Sequence, residues 1–329
     1  MSTLARPITP LEATDIRHRR ITDTIIEKLI YASALVSITI IFLIFLFVGK
    51  EALPVFTSAQ VHQEVTLQKM ILPQNYGSPE APVHYMWQPV SQVPKYSLMP
   101  LLLGTLKVTL MAMLFATPLS VLAAIYCTEF APRWIREIVK PAIELLAGIP
   151  SVVLGFFALI VLASWIQKLF DFDYRLNAVN AGIALGLAVI PVMFTIMEDA
   201  LTAVPRKQRD AARALGATPW QTAWQVVLPS ALPGVLAGFI LGFGRAMGET
   251  MIVLMASGNA AITSWSFTES VRTISATIAA ELAEVVFGSP HYHVLFFLGT
   301  LLFAITFVLN WLGTRIVNRL RRQLSGAVV

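Results

Sequence analysis

Six apolar runs, at about 26–48, 98–127, 141–164, 178–200, 233–257 and 293–315, set the limits on what this chain can become. Each approaches or exceeds the ~20 apolar residues that carry an α-helix across a bilayer. Only helices and closed barrels satisfy their backbone hydrogen bonds in hydrocarbon, and runs this long fit helices. The predicted fold class is therefore all-α, a polytopic membrane protein with about six transmembrane helices. Composition agrees: 13% of the residues are charged, about half the usual share of a soluble domain. A water-soluble two-domain enzyme is excluded on that ground.

The first run follows Arg-His-Arg-Arg at 17–20 and resembles a signal peptide. Its apolar core from Ile30 to Val48 is longer than the ~7–15 residues of a signal h-region. No small-x-small cleavage site follows, so it reads as a retained span.

Charge gives the orientation. With the N-terminus in the cytoplasm, the inner segments 1–28, 128–140, 201–232 and 315–329 hold 16 of the 24 Lys and Arg residues, and the outer loops hold six. That bias obeys the positive-inside rule, with both termini cytoplasmic. The net charge of +5 is thus an affinity for anionic membrane lipid rather than for nucleic acid. The basic end, Arg-Ile-Val-Asn-Arg-Leu-Arg-Arg at 315–322, reads as a juxtamembrane anchor. Three parts result: 1–97, holding the N-terminal segment, the first span and a long outer loop; 98–315, the transmembrane core; and 316–329, a basic tail.

No chemistry-bearing cluster stands out. The single cysteine, Cys127, reads as a packing residue. His291 and His293 form an isolated HxH, a weak metal signal. No cofactor is expected, and no catalytic triad or carboxylate dyad is visible. A phosphate-cradling loop needs G-x-x-x-x-G-K-[ST]. The only Gly-Lys pair, Gly49-Lys50, is followed by Glu51, so an ATPase would have to be a separate polypeptide.

The inner loop 205–229 reads as a helix–Gly–helix hairpin. Pro205 opens the first helix, Gly216 stops it, Thr218 caps the second with Pro219 at its first position, and Pro229 ends it. Ala211, Ala212 and Leu215 give the first helix a small apolar stripe. Such a stripe suits docking in a groove of another protein and suits packing on the chain's own spans equally well.

In the fifth run, Arg245 and Glu249 of Gly-Phe-Gly-Arg-Ala-Met-Gly-Glu-Thr (242–250) stand out. Counted from Pro233, Arg245 is about 18 Å along a helix, near the middle of a ~30 Å core. A charge there costs roughly 2.5–3.5 kcal/mol on insertion scales. Glu249, four residues on, is expected on the same helical face. A buried pair is poor value for stability alone. A guanidinium fork offered to an oxyanion in a wet path, held by the carboxylate, is the better reading.

The order Asp210-Ala211-Ala212, three residues, Gly216, nine residues, Val226-x-Leu228-Pro229 resembles the EAA loop of ABC importer permeases. Asp210 stands where that loop has Glu, and Val226 where it has Ile. Gly-Arg-Ala-Met-Gly-Glu-Thr, with 143–155 and Gly-Thr-Leu-Lys-Val-Thr-Leu at 104–110, is similar to phosphate-specific ABC permeases of the PstC/PstA pair, closer to PstC. The likeness covers roughly 98–315. It implies a type I importer permease (MetI-like) core and a coupling role for Asp210, Ala211, Ala212, Gly216, Leu228 and Pro229 at an ATP-binding subunit. It also implies a substrate path at Arg245 and Glu249. Lys107 departs from the apolar residue expected there, and it faces either that path or the outer interface. The implied partners are a second permease of PstA type, two ATP-binding subunits and a periplasmic phosphate-binding protein. Permeases for sulfate, molybdate or phosphonate are alternatives, and so is an ion-coupled carrier, which lacks a use for the hairpin.

Overall fold

The computed structural model describes residues 10–74 and 84–326, with side chains for those between 23 and 323. Two compact units divide at Glu51 and Ala52. The described part of the first is helical throughout, within α1 (Pro10–Ala52), whose last residue falls in the second unit. Its apolar stretch keeps polar atoms satisfied internally: the Ser33 and Ser37 hydroxyls donate to the Leu29 and Ser33 carbonyls at 2.9 Å.

The second unit begins with three short helices, α2 (Pro54–Thr57), α3 (Ala59–Glu64) and α4 (Leu67–Ile71). A two-stranded antiparallel hairpin follows, β1 (Trp87–Gln88) with β2 (Lys95–Tyr96). Then come α5 (Met99–Ile125), α6 (Arg133–Ala147), α7 (Ser151–Phe157), α8 (Ala163–Phe170) and α9 (Ala178–Thr202). The order closes with α10 (Arg206–Ala214), α11 (Pro219–Thr222), α12 (Leu228–Gly248), α13 (Met251–Ala256), α14 (Ile274–Glu281) and α15 (Pro290–Gly326). Among the described residues, six helical stretches are long and apolar enough to cross a bilayer.

The centre is α9. It is N-capped by Asn177, whose side chain accepts from Asn180 N at 2.8 Å. Leu185, Val189, Met193, Phe194 and Met197 on it are wholly buried. Small residues let its neighbours approach: Gly182 and Gly186 lie against Met111 and Phe115 of α5, while Gly242 of α12 lies against Val189 and Met193. In lipid, such close backbone contact replaces the hydrophobic drive that packs soluble helices.

Three boundaries differ from the sequence reading. The third span starts at Ser151, ten residues later than expected. Gly148, Ile149 and the extended Pro150 (ψ 138°) break the chain, and α6 before them is a separate helix without a buried residue. Glu144 on it is exposed and forms no ion pair among the described residues. Pro229 does not end the hairpin's second helix. A π-turn over Ala223–Val227 joins α11 to α12, so one helical rod runs from Pro219 to Gly248. A proline ring collides with the carbonyl four residues back, and a widened turn there relieves the clash. Finally, residues 52–98 are not an appendage of the first span. Val55, Met70, Trp87 and Tyr96 share a buried cluster with Leu101, Ile274 and Leu298. The boundary drawn at residue 97 therefore falls inside the second unit, and the basic tail continues α15 as helix.

Candidate functional site

The fifth span is broken where its charges lie. α12 ends at Gly248, Glu249 is extended (φ −67°, ψ 134°), and α13 starts at Met251. This corrects the expectation that Arg245 and Glu249 share a helical face, because no helix joins them. Arg245 sits in the last turn of α12, where the helix dipole favours a cation. The helix starts well before Pro233, so the packing neighbours of Arg245 rather than the residue count from Pro233 give its depth. Gly242 faces Val189 and Met193 at the middle of α9, and Arg245 is one turn further on.

Arg245 is exposed and Glu249 half-buried in the single chain. Neither side chain has an ion-pair partner among the described residues. The self-neutralising pair is therefore not formed, and the guanidinium faces a surface that this chain leaves open. The break itself is pinned: the Ser275 hydroxyl donates to the Glu249 carbonyl at 2.7 Å, and the Thr250 hydroxyl to that of Gly248 at 3.3 Å. A cleft of about 460 Å³ opens beside it, lined by Gly248, Thr250 and Ser275 with Ile278, Ala279 and Leu302.

Lys107 is 4% exposed. Its ammonium donates to the Ser266 carbonyl at 2.7 Å and lies 5.8 Å from the Phe267 ring. It holds the 257–273 loop, and no hydrogen bond or ion pair joins it to Arg245 or Glu249. At the same end of the unit, Glu281 gathers Arg272 (2.7 Å), His291 (2.9 Å) and the Trp87 indole (3.1 Å). That cluster ties the β-hairpin to α14 and α15. Burial of Tyr96, with the charges of Glu64 and Glu281 added to it, pushes its phenol above the usual range.

At the opposite end, α10 and α11 form the expected hairpin. Gly216 has φ +85°, a left-handed turn that only glycine adopts without strain. Thr218 and Gln221 make a reciprocal capping box, at 3.2 and 2.9 Å. Ala211 and Asp210 are exposed, Ala212 half-buried, and Leu215 projects at the tip, 90% exposed. Trp220 and Trp224 stack at 5.6 Å on the second helix.

Sequence reading missed what anchors this hairpin. Arg209 donates to Glu129 at 2.8 Å, to the Leu201 carbonyl at 2.8 Å and to that of Val204. Glu129 lies in a π-turn (Tyr126–Phe130) that prolongs α5, and its side chain is 4% exposed. Arg136 satisfies the carbonyls at Cys127 and Thr128, both at 2.7 Å. Lys140 pairs with the buried Glu198 at 2.6 Å, which raises its pKa chiefly through that hydrogen bond. The signal was faint: a lone carboxylate closing an apolar run, with a partner eighty residues away.

Residues 116–322, which hold the hairpin and the broken span, match the model of the binding-protein-dependent transport system inner membrane component family. The chain belongs to that family. It is 36% identical over 256 residues to the phosphate transport system permease protein PstC of Xylella fastidiosa (strain 9a5c), covering 72% of this chain and 78% of that one. It is 32% identical over 222 residues to the probable ABC transporter permease protein YqgH of Bacillus subtilis (strain 168), covering 68% and 72%. A bacterial ABC transporter involved in the import of the acidic polysaccharide alginate shares the fold, with TM-score 0.59 at 16% identity over 92% of this chain and 99% of that one. A member of this family is a multi-pass transport subunit, and the six spans carry that role here.

Proposed function

We propose that the chain is a membrane subunit of an ATP-driven importer of inorganic phosphate. It pairs with a second permease of PstA type, on two separate ATP-binding subunits, and receives substrate from a periplasmic binding protein. Both termini and the hairpin lie in the cytoplasm, where the positive-inside rule puts the basic loops. The observation that carries the reading is the unpaired Arg245 at the break in the fifth span, on a chain 36% identical to a phosphate permease.

Irregular backbone at membrane depth is tolerated where it lines a cavity, and broken helices are a recurring way to build substrate sites in transporters. A guanidinium fork matches a tetrahedral oxyanion bidentately, and with the second permease completing the wall, Arg245 would face the path rather than lipid. Glu249 keeps the empty path near neutral and disfavours a bound anion from lingering. Lys107, its charge spent on Ser266, acts on the path by holding the 257–273 loop.

Coupling follows from continuity. The rod Pro219–Gly248 runs from the hairpin to the break. A push on Ala211, Ala212, Leu215 and Gly216 is therefore delivered at Leu228 and Pro229 and onward to Arg245. Arg209 on Glu129 ties the same push to α5.

The test is reconstitution of the co-purified transporter in proteoliposomes with its binding protein. The reading expects phosphate uptake that requires ATP and resists competition by sulfate and molybdate. Uptake driven by an ion gradient without ATP, or uptake of sulfate in preference to phosphate, would refute it.

A further inference from the structure

At the root of the hairpin, a cleft of about 250 Å³ lies between α6, α10 and the π-turn after α5. Its lining includes Arg136, Arg206, Arg209 and Arg213, with Glu129 and Thr128 among them. Four guanidiniums face one carboxylate. Glu129 neutralises Arg209, and Arg136 is bonded to neutral carbonyls, so its charge stands uncompensated. Arg206 and Arg213 have no hydrogen-bond or ion-pair partner among the described residues, and Asp210, within a turn of both, pairs with neither.

The arrangement is costly as it stands. Arg206, Arg209 and Arg213 fall at i, i+3 and i+7 of α10, so three like charges share one helical face. The first turn of α10 carries Arg206, Lys207 and Arg209 and no acidic residue, against the preference of a helix N-terminus for negative charge. Both penalties vanish when an anion with several acceptor oxygens enters the cleft. Guanidinium forks from two elements suit a tetrahedral, multiply charged group better than a carboxylate.

We propose that this cleft is a second oxyanion site, specific for a phosphate group, separate from the path at Arg245 and outside the docking tip at Leu215. An occupant held by Arg136 on one side and by Arg206 and Arg213 on the other cross-links α6 to α10. The hairpin thereby becomes stiffer in proportion to the anion concentration at that face. The phosphate group has two sources, free inorganic phosphate and the headgroup of an anionic lipid.

The test uses the whole co-purified transporter in phosphatidylcholine nanodiscs without nucleotide, with labelled inorganic phosphate as the probe in equilibrium dialysis. Wild type and Arg206→Gln/Arg213→Gln are each measured with and without Arg245→Ala. In the Arg245→Ala background the proposal expects one site per chain whose affinity falls about tenfold per guanidinium removed, and with Arg245 present the same loss at that site, beside whatever binding the path itself adds. Identical binding in the Gln pair and wild type overturns it. A Gln pair that loses its co-purifying ATP-binding subunits also overturns it, because the arginines are then docking residues for an acidic protein surface. Weakened phosphate binding in nanodiscs containing phosphatidylglycerol supports the site with lipid as its occupant; unchanged binding there supports free phosphate. If the Gln pair does not fold, Arg206→Lys/Arg213→Lys keeps the charge, loses the forks and is expected to bind more weakly than wild type. A wrong assignment of the transport path shows separately, as an Arg245→Ala substitution that changes neither binding nor uptake.

Discussion

In the proposed importer Arg245 is the residue on which transport turns, and its surroundings give the reason. It lies in the last turn of a helix, faces a surface this chain leaves open, and forms no ion pair among the described residues. Removing a charge-assisted fork from a bound oxyanion costs on the order of 1.5–3 kcal/mol. Arg245→Ala is therefore expected to lower phosphate uptake by about tenfold to a hundredfold, while the subunits still co-purify and hydrolyse ATP. Lys140 is a residue of the opposite kind, a structural cation on the buried Glu198. Its pKa is raised above the ordinary 10.5 by that hydrogen bond. The folded state thus favours the charged form, and the stabilisation is complete below 10.5 and lost as pH climbs through the raised value. The thermal stability gap between wild type and Glu198→Gln, measured in detergent, is expected to be flat from pH 7 to 9 and to close in stronger alkali. A gap that persists there would mean that Glu198 stabilises by packing.

At the level of elements, the hairpin and the centre of the bundle make different demands on small residues. Gly216 is needed for its φ of +85°. Gly216→Ala is expected to destabilise the hairpin by about 1 kcal/mol, seen as faster amide exchange over 206–222 with the bundle unchanged. Ala212→Trp puts bulk into the stripe that the proposed coupling uses and is expected to separate ATP hydrolysis from uptake. Gly182 is needed for space: a side chain there meets Met111 and the Ala112 backbone. Gly182→Leu is expected to cost about 1–3 kcal/mol and to lower the melting temperature of the purified subunit. The apolar runs, Gly216 and Thr218 were legible in the sequence because local chemistry decides them: hydropathy for a span, a left-handed turn for glycine, a cap for threonine. The break at Glu249 was not, because Ser275, twenty-six residues on, supplies the hydroxyl that holds it. The rod through Pro229 was hidden for a like reason. Proline reads as a stop, and only a π-turn seen in three dimensions shows how the helix passes it.

For the whole molecule, what matters is that one continuous helical rod connects the hairpin, where an ATP-binding subunit would push, to the point where the fifth span breaks. Around it, α9 is the packed centre, Glu281 ties the opposite end together, and Arg209 fixes the hairpin to α5. The side chains α12 leaves open at Arg245 and Leu241 are those a second permease would cover. The central claim is that phosphate passes this break on a bidentate arginine contact. The most direct test is labelled phosphate uptake by cells carrying wild type or Arg245→Lys with all partner subunits co-expressed. Uptake that falls in the lysine variant, at equal subunit abundance, is the result this account predicts; uptake equal to wild type would contradict it, leaving Arg245 as a positive charge without an oxyanion to hold.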